Sequence, residues 1–247
     1  MSQHGPAGDR RLGSGLAKRV FDAVTAAILL LLVSPALAII AVAVRLEGPG
    51  SVLYRSRRAG LHGRAFDMLK FRKMDVDASG PPITTVDDIR FTRLGKFLAA
   101  TKLDELPQLW NVIKGEMSLV GPRPEDLLFV AREPTSYETI LQVRPGITGL
   151  SQLAFSRESE LVPPENRVSY YVEHLVPAKI QLDQLYIVQR SFLMDMKILV
   201  WTLAVTILRR DVSVNRKTAR LTFRRRDRSS ARSQASSGAR KAKTRET

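Results

Sequence analysis

The chain has 247 residues, 44% of them hydrophobic, enough for one domain with a sizeable core. With no cysteine it can form neither disulfides nor thiolate metal sites, and His4, His62 and His174 are too scattered for metal-ligand spacing or a His-based triad. The net charge of +15 is uneven: Asp211 to Thr247 holds twelve Lys/Arg against three Asp/Glu, leaving +6 to residues 1–210.

Residues 1–16 are polar and glycine-containing and are expected to be flexible. Ala23 to Val44 then runs for 22 residues without a charge, long enough to cross a hydrocarbon layer, and residues 17–46 are read as the membrane segment. Pro35, preceded by Ser34, is expected to bend or break the helix near its centre. Arg10, Arg11, Lys18 and Arg19 precede the segment and Arg45, Arg55, Arg57, Arg58 and Arg64 follow it, so positive-inside bias gives no direction for a crossing. A kinked span and a re-entrant helix with both ends on one side are the two solutions. The proline and the symmetric charge favour the second.

Residues 47–210 read as one folded domain, the one that the resemblance given below makes the cytoplasmic catalytic domain. Val52–Tyr54 and Ala65–Leu69 look like short strands around a Gly60–Gly63 turn, followed by the basic cluster Lys70-Phe71-Arg72-Lys73. Lys70 and Arg72 are candidate phosphate contacts. Lys102 to Pro124 reads KLDELPQLWNVIKGEMSLVGPRP. Leu106, Leu109, Trp110 and Ile113 form the stripe of an amphipathic helix, with Asp104 expected as its N-cap, Pro107 in its first turn and Lys114-Gly115 as its stop. An ionised Asp104 beside Glu105, near basic residues, is a candidate nucleophile toward phosphorus. Two prolines stiffen the Gly121–Pro124 turn around Arg123, whose guanidinium suits phosphate oxygens. Arg144 is set similarly in Arg144-Pro145-Gly146-Ile147-Thr148-Gly149.

Glu125 to Ile140 reads as a polar helix interrupted at Pro134, and a further helix is expected to begin near Ala178. Ile198–Leu208 is uncharged but too short to span, so it is expected at the interface with Trp201 as a headgroup-level anchor. The Arg- and Ser-rich tail 211–247 is expected to be disordered and attracted to anionic lipid headgroups. With Phe223 its one aromatic residue, it is a poor fit for nucleic acid.

The stretch LDELPQLWNVIKGEMSLVGPRP resembles the signature of the bacterial sugar transferases, the monotopic polyprenyl-phosphate phosphoglycosyl transferases. VLYRSRRAGLHGRAFDMLKFRKM and RPGITG are also similar to that family's segments, and the resemblance covers roughly residues 17–208. It implies a helix-dominated α+β fold in its minimal catalytic form: a monotopic membrane protein with a re-entrant helix, a short β-hairpin and interfacial amphipathic helices. The implied reaction moves a sugar phosphate from a nucleoside diphosphate sugar, a UDP-sugar above all, to undecaprenyl phosphate at the cytoplasmic face of the bacterial inner membrane. It implies Asp104 as nucleophile, Glu105 with Asp104 as ligands of Mg²⁺, and Lys70, Arg72, Lys102, Arg123 and Arg144 as substrate contacts. Family members place basic residues where this chain has Ala99 and Ala100, while Lys102 stands at a spot often held by serine. Asp183 and Asp195 match acidic positions of the family, and whether they meet the dyad is open, as is a homo-oligomeric state. The rival from another class is a non-catalytic membrane adaptor that binds anionic lipid or a partner protein.

Overall fold

The computed structural model describes residues 7–80, 83–85, 88–163, 166–208, 210 and 212–223. Helix α1 runs unbroken from Ala7 to Glu47, so it starts inside the stretch expected to be flexible and stays helical on both sides of Pro35. Pro35 has no N–H for the carbonyl of Leu31 one turn back, and the Ser34 hydroxyl donates to that oxygen at 2.8 Å instead. Gly15–Glu47 is long and apolar enough to cross a membrane, with mean hydropathy 2.9 over its richest window.

Strands β1 (Leu53–Ala59) and β2 (Ala65–Phe71) form an antiparallel hairpin from the Leu53–Phe71 pair to the Ala59–Ala65 pair. On β2 the alternation buries Phe66 and Met68, and it carries Lys70 on the same inward face. Helix α2 (Arg93–Thr101) is capped by the Thr92 hydroxyl and ends at Lys102, whose backbone is left-handed at φ 61°. A 3₁₀ turn over Leu103–Glu105 follows, and α3 (Gln108–Lys114) begins only after Pro107. Asp104 is therefore not the N-cap the sequence suggests. Leu106 and Pro107 are already in the α conformation, but Pro107 lacks the N–H that would bond back to Leu103, so the regular helix begins after it, where a missing N–H costs nothing. The stop at Lys114-Gly115 is as expected, with Gly115 left-handed at φ 85°.

Strand β3 (Ser118–Val120) leads into the Gly121–Pro124 turn. Helices α4 (Leu127–Arg132) and α5 (Pro134–Glu138) split at Pro134, as expected. Strand β4 (Gly146–Thr148) pairs parallel with β3, a pairing across 28 residues that no local pattern announces. It puts the two arginine turns side by side: a Cβ on Gly146 would lie 2.1 Å from the Gly121 nitrogen, so the two backbones touch where only glycine fits.

Helices α6 (Leu150–Ala154), α7 (Glu158–Leu161) and α8 (Arg167–Tyr170) are short. Helix α9 (Val176–Gln189) carries Pro177 in its first turn, and α10 (Phe192–Leu208) follows after a break at Arg190-Ser191. The chain then forms a second antiparallel hairpin, β5 (Val212–Val214) with β6 (Leu221–Phe223). This corrects the expectation of a disordered segment from 211 onward; residues 224–247 lie outside the described residues.

The main core joins Phe66, Met68, Leu109, Val112, Met117, Leu119, Leu150, Leu182 and Ile198 around Ala26 of α1, with Phe21, Leu30 and Val33 packed against it. A separate cluster of Val44, Phe71 and Leu98 takes in Leu37, Ile40 and Ala41 of the same helix. The folded body thus lines α1 from Phe21 to Val44. Along the same helix, away from these contacts, Val20, Leu31, Leu32, Ile39 and Val42 are exposed.

Candidate functional site

The 3₁₀ turn between α2 and α3 buries Asp104 to 1% exposure. Lys73 donates to its Oδ2 at 2.9 Å, while Oδ1 is buried with no hydrogen-bond partner among the described residues. Next to it, Glu105 accepts from Lys70 at 2.9 Å. Burial pushes the Glu105 carboxyl up, but the charges of Lys70, Arg123 and Lys102 together outweigh it and hold the group well below the usual carboxylate range. Burial depresses the Lys70 ammonium, and Arg123 and Lys73 add to that against the pull of Glu105. Asn111 fixes the register between β2 and α3: its amide donates to Asp67 O at 2.8 Å and its carbonyl accepts from Leu69 N at 3.0 Å. That bracket sets Lys70 and Lys73 over the acidic pair.

Among the arginines singled out from sequence, the structure separates Arg123 from the other two. Arg123 is half-buried, makes no hydrogen bond to a described residue, and faces Glu105, Glu158, Tyr171 and Glu125 electrostatically. Arg144 instead donates through Nε to Gly115 O at 2.8 Å, closing the end of α3. The Arg72 guanidinium reaches back to the C-terminus of α1, donating to Val44 O and Gly48 O at 2.9 Å each and to Pro49 O. Both are helix-end caps, a use that cations at C-terminal carbonyls favour. Lys102 is exposed beside Glu105 and Glu158.

Lys73 and Asn111 were not singled out by sequence reasoning. Strand alternation from Lys70 points to Arg72, but β2 ends at Phe71, and the chain bends so that Lys73 rejoins Lys70 over the dyad. A second polar layer was also missed. Lys179, 2% exposed, donates to Tyr171 Oη at 2.9 Å and pairs with Glu158, and Tyr171 donates to Glu125 at 2.9 Å. Asp183 lies in this layer, bonded by the Ser151 hydroxyl at 2.7 Å, with burial pushing its carboxyl up to about 7. Asp195 accepts from Tyr186 and from Lys18 of α1, each at 2.7 Å. Neither aspartate is bonded to the dyad.

Four cations, Lys70, Lys73, Lys102 and Arg123, thus surround two carboxylates. The surplus of positive charge suits a polyanionic group, and the bare Oδ1 of Asp104 suits an electrophilic phosphorus or a cation. Among the described residues no group of three or more His, Asp or Glu is placed to hold a metal by itself.

Residues 13–209 match the protein family described as bacterial sugar transferase. The chain is 46% identical over 149 residues to a UDP-glucose:undecaprenyl-phosphate glucose-1-phosphate transferase of Caulobacter vibrioides, covering 58% of this chain and 55% of that protein. It is 41% identical over 204 residues to the protein of the same name in Xanthomonas campestris pv. campestris, covering 78% of this chain and 39% of that protein. The Uncharacterized sugar transferase EpsL of Bacillus subtilis is 35% identical over 188 residues, covering 76% of this chain and 85% of its own length. The chain therefore spans about half or less of the first two relatives' length. With a family match running from α1 through α10 and enclosing both the acidic pair and its cations, the chain belongs to the bacterial sugar transferase family.

Proposed function

We propose that this chain transfers a sugar phosphate from a UDP-sugar to undecaprenyl phosphate through a covalent aspartyl-phosphosugar. The observation that carries the reading is Asp104: a buried carboxylate with one oxygen held by Lys73 and the other bare. Asp104 Oδ1 attacks the β-phosphorus, and the bond from that phosphorus to the bridging oxygen breaks. UMP leaves with the bonding electrons, helped by the positive charge of Arg123 and Lys102. A phosphate oxygen of the lipid then attacks the same phosphorus and the aspartate is released, giving the lipid-linked diphosphosugar. One nucleophile lets a soluble and a lipid-borne anion visit the same cations in turn instead of crowding them together. Glu105 is bonded by Lys70 and keeps the local charge balanced. Glu105 and Asp104 are the residues that would hold Mg²⁺, and the ion would offset diphosphate charge when bound. The names of the relatives, which specify a UDP-sugar donor and an undecaprenyl-phosphate acceptor, support the choice of substrates. Detergent-solubilised protein is expected to release UMP from UDP-sugars only when polyprenyl phosphate and Mg²⁺ are present beyond the first turnover. Absence of UMP release across a panel of UDP-sugars would leave the adaptor reading standing.

The same proposal makes the protein monotopic, resting in the bacterial cytoplasmic membrane with its catalytic body in the cytoplasm. Support comes from packing: both Ala26 and Val44, 18 residues apart on α1, are covered by the body that holds the dyad. At about 1.5 Å per residue that separation is about 27 Å, nearly the hydrocarbon thickness, so a perpendicular crossing would drag the body through the bilayer. A Ser2→Cys variant is expected to resist an impermeant thiol reagent in intact cells, with no native cysteine to interfere. Changing Ser34 to Ala and Pro35 to Leu gives Leu31 O a backbone donor in place of the Ser34 hydroxyl and is expected to raise labelling. Labelling of the parent from outside would show an ordinary span.

A further inference from the structure

The family match ends at residue 209, yet the chain continues into the β5–β6 hairpin. A two-stranded hairpin is marginal alone, and this one is held by its inner face. Val212 is buried, and Val214, Ala219 and Leu221 pack against the main core. At one end the Phe223 ring lies 4.6 Å from the Trp201 ring, with the Arg210 guanidinium 5.8 Å from Phe223. At the other, Gln189 at the end of α9 donates to Lys217 O. The hairpin is thus seated on α6 and the main core and meets α10 at Trp201. Its turn and outer side present Arg216, Lys217 and Arg220, all exposed.

Helix α10 itself exposes Leu193, Val200, Leu203 and Ile207 at helical spacing, one apolar stripe. Seventeen residues at about 1.5 Å each give about 25 Å, so the helix is short for a crossing and suited to lying in the interface. A row of cations beside an apolar stripe, with a tryptophan between them, matches the layered chemistry of one leaflet: acyl chains, carbonyl level, charged headgroups.

We infer that the Val212–Phe223 hairpin is a binding lip for anionic phospholipid headgroups, which it gathers beside Trp201. The inference rests on the membrane reading above and is independent of the transfer chemistry. A leaflet is favoured over a protein partner because the basic hairpin is continuous with the apolar stripe, and only a bilayer offers both surfaces over that span.

The test uses the full chain in nanodiscs, with Trp110→Phe so that Trp201 is the sole tryptophan. Quenching of Trp201 is compared between brominated phosphatidylglycerol and brominated phosphatidylcholine at equal mole fraction. The anionic lipid is expected to quench at least about threefold more strongly at low salt, since each of the three basic residues near an anionic surface favours partition by about fivefold. Arg216→Gln, Lys217→Gln and Arg220→Gln together should bring the ratio to about one while total quenching persists. A parent ratio of one, or a ratio the triple variant leaves unchanged, overturns the lip and assigns any preference to residues 224–247. No quenching by either lipid overturns the lip and the interfacial placing of α10, while the reading of α1 stands or falls on the Ser2→Cys labelling.

Discussion

Asp104→Asn is expected to lower turnover by on the order of 10³-fold or more, the scale of losing a covalent nucleophile. The substitution keeps the shape, and the amide oxygen can still accept from Lys73, so the fold is expected to persist. What disappears is the oxygen that forms the bond to phosphorus. Exposed to UDP-sugar without lipid acceptor and quenched, the parent should gain the mass of a phosphosugar and the variant should gain nothing. Glu105→Gln separates the two carboxylates: it removes the charge that balances Lys70 and slows the reaction, but it leaves the nucleophile, so an adduct still forms. An active Asp104→Asn protein, or a parent with no adduct under any quench, would move the covalent step away from this turn.

The parts of this site that the sequence made legible are those fixed by local rules. Alternation along β2 carries Lys70 inward with Phe66 and Met68, and the Lys114-Gly115 stop ends α3 where expected. The acidic pair itself was legible as chemistry, though its backbone was not: Pro107 delays the helix, and a 3₁₀ turn buries Asp104 more deeply than an N-cap would be. The arginines were the hardest to read. A guanidinium serves a phosphate and a frayed helix end through the same donors, and only tertiary neighbours decide between them. Arg19 shows the point: it donates to Val112 O at 2.6 Å and Ile113 O at 2.7 Å, closing α3 from α1, 93 residues upstream of Val112. The β3–β4 pairing and the β5–β6 hairpin were missed for a related reason. Three-residue strands carry too few positions for a period, and their stability comes from the packed turns and core beneath them.

Arg72 and Arg123 are expected to separate cleanly when each is replaced by alanine. Arg72→Ala leaves three carbonyls at the end of α1 without a donor. Gly48 and Pro49 are partly or fully exposed and can recover water, but Val44 is 1% exposed, so the net cost is about 1–3 kcal/mol, mostly from that one oxygen. For a chain of this size that lowers Tm by several degrees, at about 2–4 °C per kcal/mol. Because Arg72 adjoins Lys73, loosening it blurs the grip on Asp104: kcat is expected to fall about tenfold with the donor KM nearly unchanged. Lysine should not rescue, since one ammonium cannot reach three carbonyls in the fork a guanidinium provides. Arg123→Ala should do the reverse. Its guanidinium bonds no described residue, so Tm should hardly move, while loss of a charged phosphate contact worth about 1.5–3 kcal/mol raises the donor KM by about tenfold or more. If Arg72→Ala instead raises the donor KM and spares Tm, its guanidinium leaves the helix end to take substrate, and the clamp on α1 is not what the resting geometry says it is.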